Sequence, residues 1–115
     1  MSTQTLSEAE KMARVPGIVY VDGAAGRRAR IAGTGLEVFE LIEAWLSVER
    51  DTDWLFEAFP WLTREQVKAA IDFYALFPDE INARLAREWE IDRLVEEAGG
   101  LTPELIDEIA SWPPL

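Results

Sequence analysis

The run RIAGTGLEVFELIEAWLSVERDTDWLFEAFPWLTREQVKAAIDFYALFPDEINARL, residues 30–85, orders the end of a strand, a Gly-Thr-Gly turn and a series of helices. Within it Val38, Leu41, Ile42, Trp45 and Leu46 recur at i, i+3, i+4, i+7 and i+8, the spacing of a buried helical stripe. Glu37, Glu40 and Glu43 take the opposite side. A helix over residues 36–47 is therefore predicted. A short second helix near residues 53–58 offers Trp54, Leu55 and Phe59 for burial. It stops at Pro60, because proline disfavours helical geometry in the residue before it. The third helix has the strongest start: Thr63 caps Gln66 while Gln66 reaches back, and Leu62 and Val67 occupy hydrophobic-staple positions. Its expected core stripe is Val67, Ala70, Ile71 and Tyr74. A short helix, a brief turn and a longer helix have the proportions of a helix-turn-helix.

Working outward, Gly17 to Val21 is β-branched and aromatic, residues 22–26 carry turn chemistry, and Arg28 to Ala32 alternates with a period of two. A β-hairpin follows, with Arg28 and Arg30 on one face and Ala29 and Ile31 on the other. Residues 1–16 read as a flexible arm. On the far side Pro78 restarts the chain as a fourth helix over residues 79–98, which ends at Gly99-Gly100. Thr102-Pro103 opens a last short helix to about residue 110, with Leu101 and Ile106 as a second staple pair and Trp112-Pro113-Pro114-Leu115 as an apolar tail. The expected fold class is mainly α within α+β: an arm (1–16), a hairpin with a helix-turn-helix or winged-helix-like bundle (17–98), and a C-terminal helical extension (99–115).

Several of these segments together resemble one family. Ile31-Ala32-Gly33-Thr34-Gly35, Phe59-Pro60, Leu62-Thr63-Arg64-Glu65-Gln66-Val67 and Phe77-Pro78-Asp79-Glu80-Ile81 are similar to the spaced motifs of the small prokaryotic DUF433 proteins. Two positions depart from that pattern: Gly35 stands where the family's turn usually carries Arg, and Phe59 replaces Tyr. The resemblance implies a helix-turn-helix-like domain and an antitoxin role beside a PIN-like nuclease toxin, with DNA binding as a means of autoregulation.

Composition bounds the remaining function classes. At 115 residues, 49% of them apolar, the chain is long enough to bury one core. It contains neither Cys nor His, which excludes disulfides, thiolate chemistry and the commonest general base. An enzyme is not expected, nor a cofactor or metal. The first residues have neither the basic start nor the apolar run of a secretory signal, and no apolar stretch is of bilayer length, so a cytoplasmic protein with no membrane contact is expected.

Three local patterns invite sharper readings and fail them. Gly33-x-Gly35 between strand and helix has Val38 where a dinucleotide fold needs its third glycine, so the glycines serve the turn. Asp51-Thr52-Asp53 lacks the rest of a calcium loop, having Phe56 and Leu62 at its sixth and twelfth positions, and reads as a helix cap. Glu37, Glu40 and Glu43 read as a solvated face.

Charge gives the candidate sites. The net charge of −11 is unevenly spread: residues 11–35 carry Lys11, Arg14, Arg27, Arg28 and Arg30 against Asp22 alone. Residues 79–115 carry ten acids against Arg84, Arg87 and Arg93. A protein that neutralises phosphates concentrates cations where it docks. Operator DNA would therefore meet Arg27, Arg28 and Arg30 on the hairpin with Arg64 and Lys68 on the third helix. In the acidic third, Trp89, Leu101, Leu105, Ile106, Ile109 and Trp112 alternate with carboxylates, a pattern suited to a basic protein groove such as that of a nuclease. The same residues equally suit closure of the chain's own core. Five Trp and five Phe in so short a chain, with open strand edges, point to a homodimer. Two further alternatives to an antitoxin are a homodimeric adaptor without DNA contact and a stand-alone DNA-binding regulator.

Overall fold

The computed structural model of the protein describes residues 6–23 and 26–113. Along them run α1 (Glu8–Arg14), β1 (Ile18–Gly23), β2 (Gly26–Ile31), α2 (Val38–Ser47), α3 (Thr52–Ala58), α4 (Arg64–Leu76), α5 (Pro78–Ala98) and α6 (Pro103–Ala110). The fold is mainly α with an N-terminal hairpin followed by helices, as the periodicity required. Residues 1–5, 24–25 and 114–115, which the reading above gave to the arm, the hairpin turn and the tail, lie outside the described part.

The segment expected to be a flexible arm contains a helix. Ser7 accepts a hydrogen bond from Glu10 N at 3.2 Å and Glu10 Oε1 accepts one from Ser7 N at 3.3 Å, closing a capping box at the start of α1. Lys11 then reaches Glu80 at the start of α5, with Nζ 2.6 Å from Oε1. Val15 behind it is buried.

β1 and β2 pair antiparallel with Ile18 opposite Ile31 and Tyr20 opposite Ala29. Ile18, Ala29 and Ile31 are buried on the helix-facing side, while Val19, Val21, Arg28 and Arg30 line the other, as alternation demands. The Gly-Thr-Gly turn is held by Thr34. Its hydroxyl donates to Ile31 O at 2.8 Å and accepts from Leu36 N at 3.1 Å, and Gly33 takes a left-handed φ of 77°. Gln66, besides closing the Thr63 capping box, donates Nε2 to Ala32 O at 3.4 Å and so ties the start of α4 to this turn.

The core gathers Val38, Leu41 and Ile42 of α2, Leu55 of α3, Val67, Ala70 and Phe73 of α4, and Ile81 and Leu85 of α5 beneath the hairpin. α4 corrects the expected stripe, since Phe73 is its fully buried aromatic and Ile71 and Tyr74 are only half-buried. α4 contacts both strands, α2 and α5 at once, so it buries a wider face than a single stripe. Phe73 meets the Tyr20 ring edge-on at 6.3 Å and Phe77 at 5.2 Å. Trp54, expected inside, is exposed.

α5 outruns this core. Its first two turns carry Ile81, Arg84 and Leu85 into it, and the rest packs with α6. Gly99 adopts φ 75° and Gly100 N donates back to Val95 O at 2.9 Å, which closes the helix and turns the chain. The radius of gyration is 15.5 Å, against about 13 Å for a compact chain of this length. The α5–α6 hairpin accounts for the excess by projecting from the bundle.

Candidate functional site

Three features of the surface bear on function, and the hairpin cations come first. Arg27, Arg28 and Arg30 do not form one patch. Arg27 lies on the helix-facing side of the hairpin, where Nε meets Glu8 at 2.7 Å and Nη1 meets Asp22 at 2.9 Å, which raises its pKa. Arg28 bonds Glu37 at 3.2 Å. That pairing moves Glu37 out of the expected solvated face, because its side chain is only 12% exposed at the N-cap of α2. Arg30 has a buried Nε with no hydrogen-bond partner among the described residues.

Arg64 and Lys68 sit apart from these on α4. The Arg64 guanidinium lies 5.2 Å from the Phe56 ring, and Lys68 pairs with Asp72 at 2.5 Å. Together with Thr52, Phe56, Val67 and Ile71 they line a shallow, mostly apolar hollow of about 290 Å³ between α3 and α4. Of the five cations, only Arg30 and Arg64 lack an ion pair among the described residues.

The expected partner-binding residues divide into two sets. Leu105 is buried, and Ile109 and Trp112 are half-buried on the same side of α6, since residues four and seven apart share a helical face. Arg87 of α5 covers the Trp112 ring at 5.6 Å and donates to Pro113 O. These residues close α6 onto α5. Trp89, Leu101 and Ile106 are instead 54%, 59% and 48% exposed. The Leu101–Ile106 staple pair thus stands in solvent. The same element is rich in carboxylates, and Arg93 gathers two of them, Glu90 at 2.5 Å and Glu97 at 2.7 Å. The hydrogen bond from Arg93 holds the Glu90 carboxyl below its ordinary pKa.

The third feature escaped the sequence. A cavity of about 330 Å³ opens between α1, the hairpin, the start of α2 and the first turns of α5. At one side of it Glu80 accepts from Lys11 and from the Tyr20 hydroxyl, at 2.7 and 2.8 Å to its two oxygens. Burial, then that bond to Glu80, drives the Tyr20 pKa well above the phenol range. The Ser7-x-x-Glu10 spacing was the available clue, since a capped α1 is what brings Glu8 and Lys11 to this wall.

Residues 18–74 match DUF433, described as a protein of unknown function. The chain belongs to that family. The matched segment runs from β1 to Tyr74 and so contains the hairpin, the Thr34 turn, α2, α3 and the start of α4 with its Gln66 bridge. The cavity wall from α1 and α5, and the whole α5–α6 hairpin, lie outside it. No curated protein and no solved structure matches the chain. No helix among the described residues is long and apolar enough to cross a membrane.

Proposed function

We propose that this protein is an antitoxin that binds and neutralises a PIN-like nuclease toxin through its projecting α5–α6 hairpin. The observation that supports this reading most directly is the exposure of Trp89, Leu101 and Ile106 on a strongly acidic, protruding element. Exposed aromatic and aliphatic anchors ringed by carboxylates suit a partner whose groove is apolar at its base and basic at its rim. A nuclease groove that binds phosphates has that rim. Antitoxin function also agrees with the family resemblance described above.

Two copies are proposed to pair. The sheet has only two strands among the described residues, so β1 offers an outer edge, and Trp54 and Trp61 stand exposed beside α3. Repression of its own operon would draw first on Arg64 and Arg30 of both copies, because Arg27, Arg28 and Lys68 are held by Glu8, Asp22, Glu37 and Asp72. Homodimeric adaptor function without a toxin is the second reading, favoured by the same exposed tryptophans.

The test is co-expression with a nuclease-like gene adjacent to this one, scoring growth. Wild type should rescue, and the double change Trp89→Ser, Ile106→Ser should not, with each anchor contributing about 2 kcal/mol of affinity. Circular dichroism of the double variant should match wild type, since neither side chain is buried. Rescue by the well-folded double variant would move toxin binding off the α5–α6 hairpin, and a nuclease that binds nowhere on the protein would leave the adaptor reading.

A further inference from the structure

The cavity between α1, the hairpin and α5 gathers four cations in a chain whose net charge is strongly negative. Its lining carries Lys11, Arg27, Arg28 and Arg84 against Glu8, Glu37 and Glu80, in a chain whose net charge is −11. Each lining carboxylate is already matched: Glu8 by Arg27, Glu37 by Arg28 and Glu80 by Lys11. Arg84 is the one lining cation whose ion-pair partner, Glu88, stands outside the lining.

Among the described residues Arg84 is also the only buried charged one, at 9% exposure. Its guanidinium stacks 4.5 Å from the Phe39 ring, and Nη1 pairs with Glu88 at 2.8 Å. Nε is buried without a hydrogen-bond partner among the described residues. A buried, unmatched N–H on a charged group costs stability, so it is retained where a further partner repays the cost. The edge of a guanidinium that runs through Nε accepts a carboxylate side-on by two parallel hydrogen bonds. Phe39, Ala29, Ile81 and Ala83 supply apolar wall beside it. The volume of about 330 Å³ lies within the range of small-molecule sites.

We propose that this cavity binds a small organic monocarboxylate, with Arg84 gripping the carboxylate through Nε and Phe39, Ile81 and Ala83 lining the space for its apolar body. Free phosphate is the weaker candidate on geometry: it matches the cation but makes no use of the apolar wall. The site stands apart from the exposed face of α5–α6 and does not depend on the antitoxin reading.

The experiment follows the Arg84 Nε–H and the backbone amides of Tyr20, Phe39 and Ile81 by ¹H–¹⁵N correlation spectra of the full chain. The probes are acetate, 3-methylbutyrate and benzoate, with benzyl alcohol and inorganic phosphate as controls. Saturable shifts at these signals with benzoate or 3-methylbutyrate are expected, at least about tenfold tighter than with acetate, phosphate or benzyl alcohol. Ala83→Leu keeps every charge and suits a helix, and should weaken binding at least about tenfold by filling the cavity. Arg84→Lys keeps the charge but loses the Nε edge, and should weaken it similarly. The dispersion of the same spectra reports whether each variant is folded.

Four results would overturn the proposal. They are equal binding of benzyl alcohol, equal binding of phosphate, unchanged carboxylate binding in either folded variant, and no shift with any carboxylate at about 50 mM.

Discussion

The Gly-Thr-Gly turn separates two glycines that look alike in the sequence. Gly33 has φ 77°, where an L side chain is strained, whereas Gly35 has an ordinary φ and open space around its missing Cβ. Gly33→Ala should therefore lower stability by about 1–2 kcal/mol. Gly35→Ala should leave it unchanged or raise it by about 0.4–1 kcal/mol through the unfolded chain, with urea denaturation reading both. Open space at Gly35 also means that the Cβ of the Arg usual in the resembled family would meet no neighbouring atom there. Tyr20 offers a second residue-scale test, because its hydroxyl donates to Glu80 and its pKa is raised from 10.0 by burial and by that carboxylate. A raised pKa means the folded state holds the proton more tightly than the unfolded chain. The contribution is therefore complete below about pH 10 and is lost as the pH climbs beyond it. Tyr20→Phe should cost about 1.5–3 kcal/mol at neutral pH, the range for a hydrogen bond to a charged group. The gap between wild type and variant should narrow above pH 10; a gap constant to pH 11 would show that the hydroxyl and Glu80 are not coupled as described.

At the scale of elements, the division between main core and α5–α6 hairpin gives a separable prediction. Leu105 is buried against α5 but is not part of the cluster beneath the hairpin strands. Deleting residues 101–115 keeps the Gly100 N bond to Val95 O and the Thr63 and Ser7 caps. The truncated protein should still melt in one cooperative transition, at a lower temperature, having lost the helical signal of α6. Loss of the transition would make α6 part of the main core. The elements were largely legible because each helix from α2 to α6 carries an apolar stripe or a cap at its start, and Pro60, Pro78 and Gly99 mark boundaries. α1 was missed although Ser7 and Glu10 have capping-box spacing, because seven residues without a buried side chain carry no stripe. What stayed illegible was tertiary. Periodicity leaves Glu37 outside the apolar stripe of α2, but only the approach of β2 brings Arg28 to it, and nothing local in the sequence brings Arg84 over Phe39.

For the whole molecule, charge and shape act together. Ten of the 22 acids fall in residues 79–115, and eight of them lie past the first two turns of α5, on the part that projects from the bundle. Of the cations of residues 11–35, Lys11, Arg27 and Arg28 are held in ion pairs. A basic partner approaching in solution would therefore be drawn to α5–α6 first, while duplex DNA would be repelled from most of the surface. For the proposed toxin, this separates two rates. Carboxylates around the exposed face act at long range, so raising ionic strength from about 0.05 to 0.5 M should slow association by about tenfold or more as the screening length shrinks. Trp89 and Ile106 act only at contact, so replacing them should speed dissociation and leave association and its salt dependence nearly unchanged. Surface plasmon resonance at several salt concentrations reads both rates at once. An association rate indifferent to salt would deny the acidic hairpin any steering role even if its apolar anchors hold the partner.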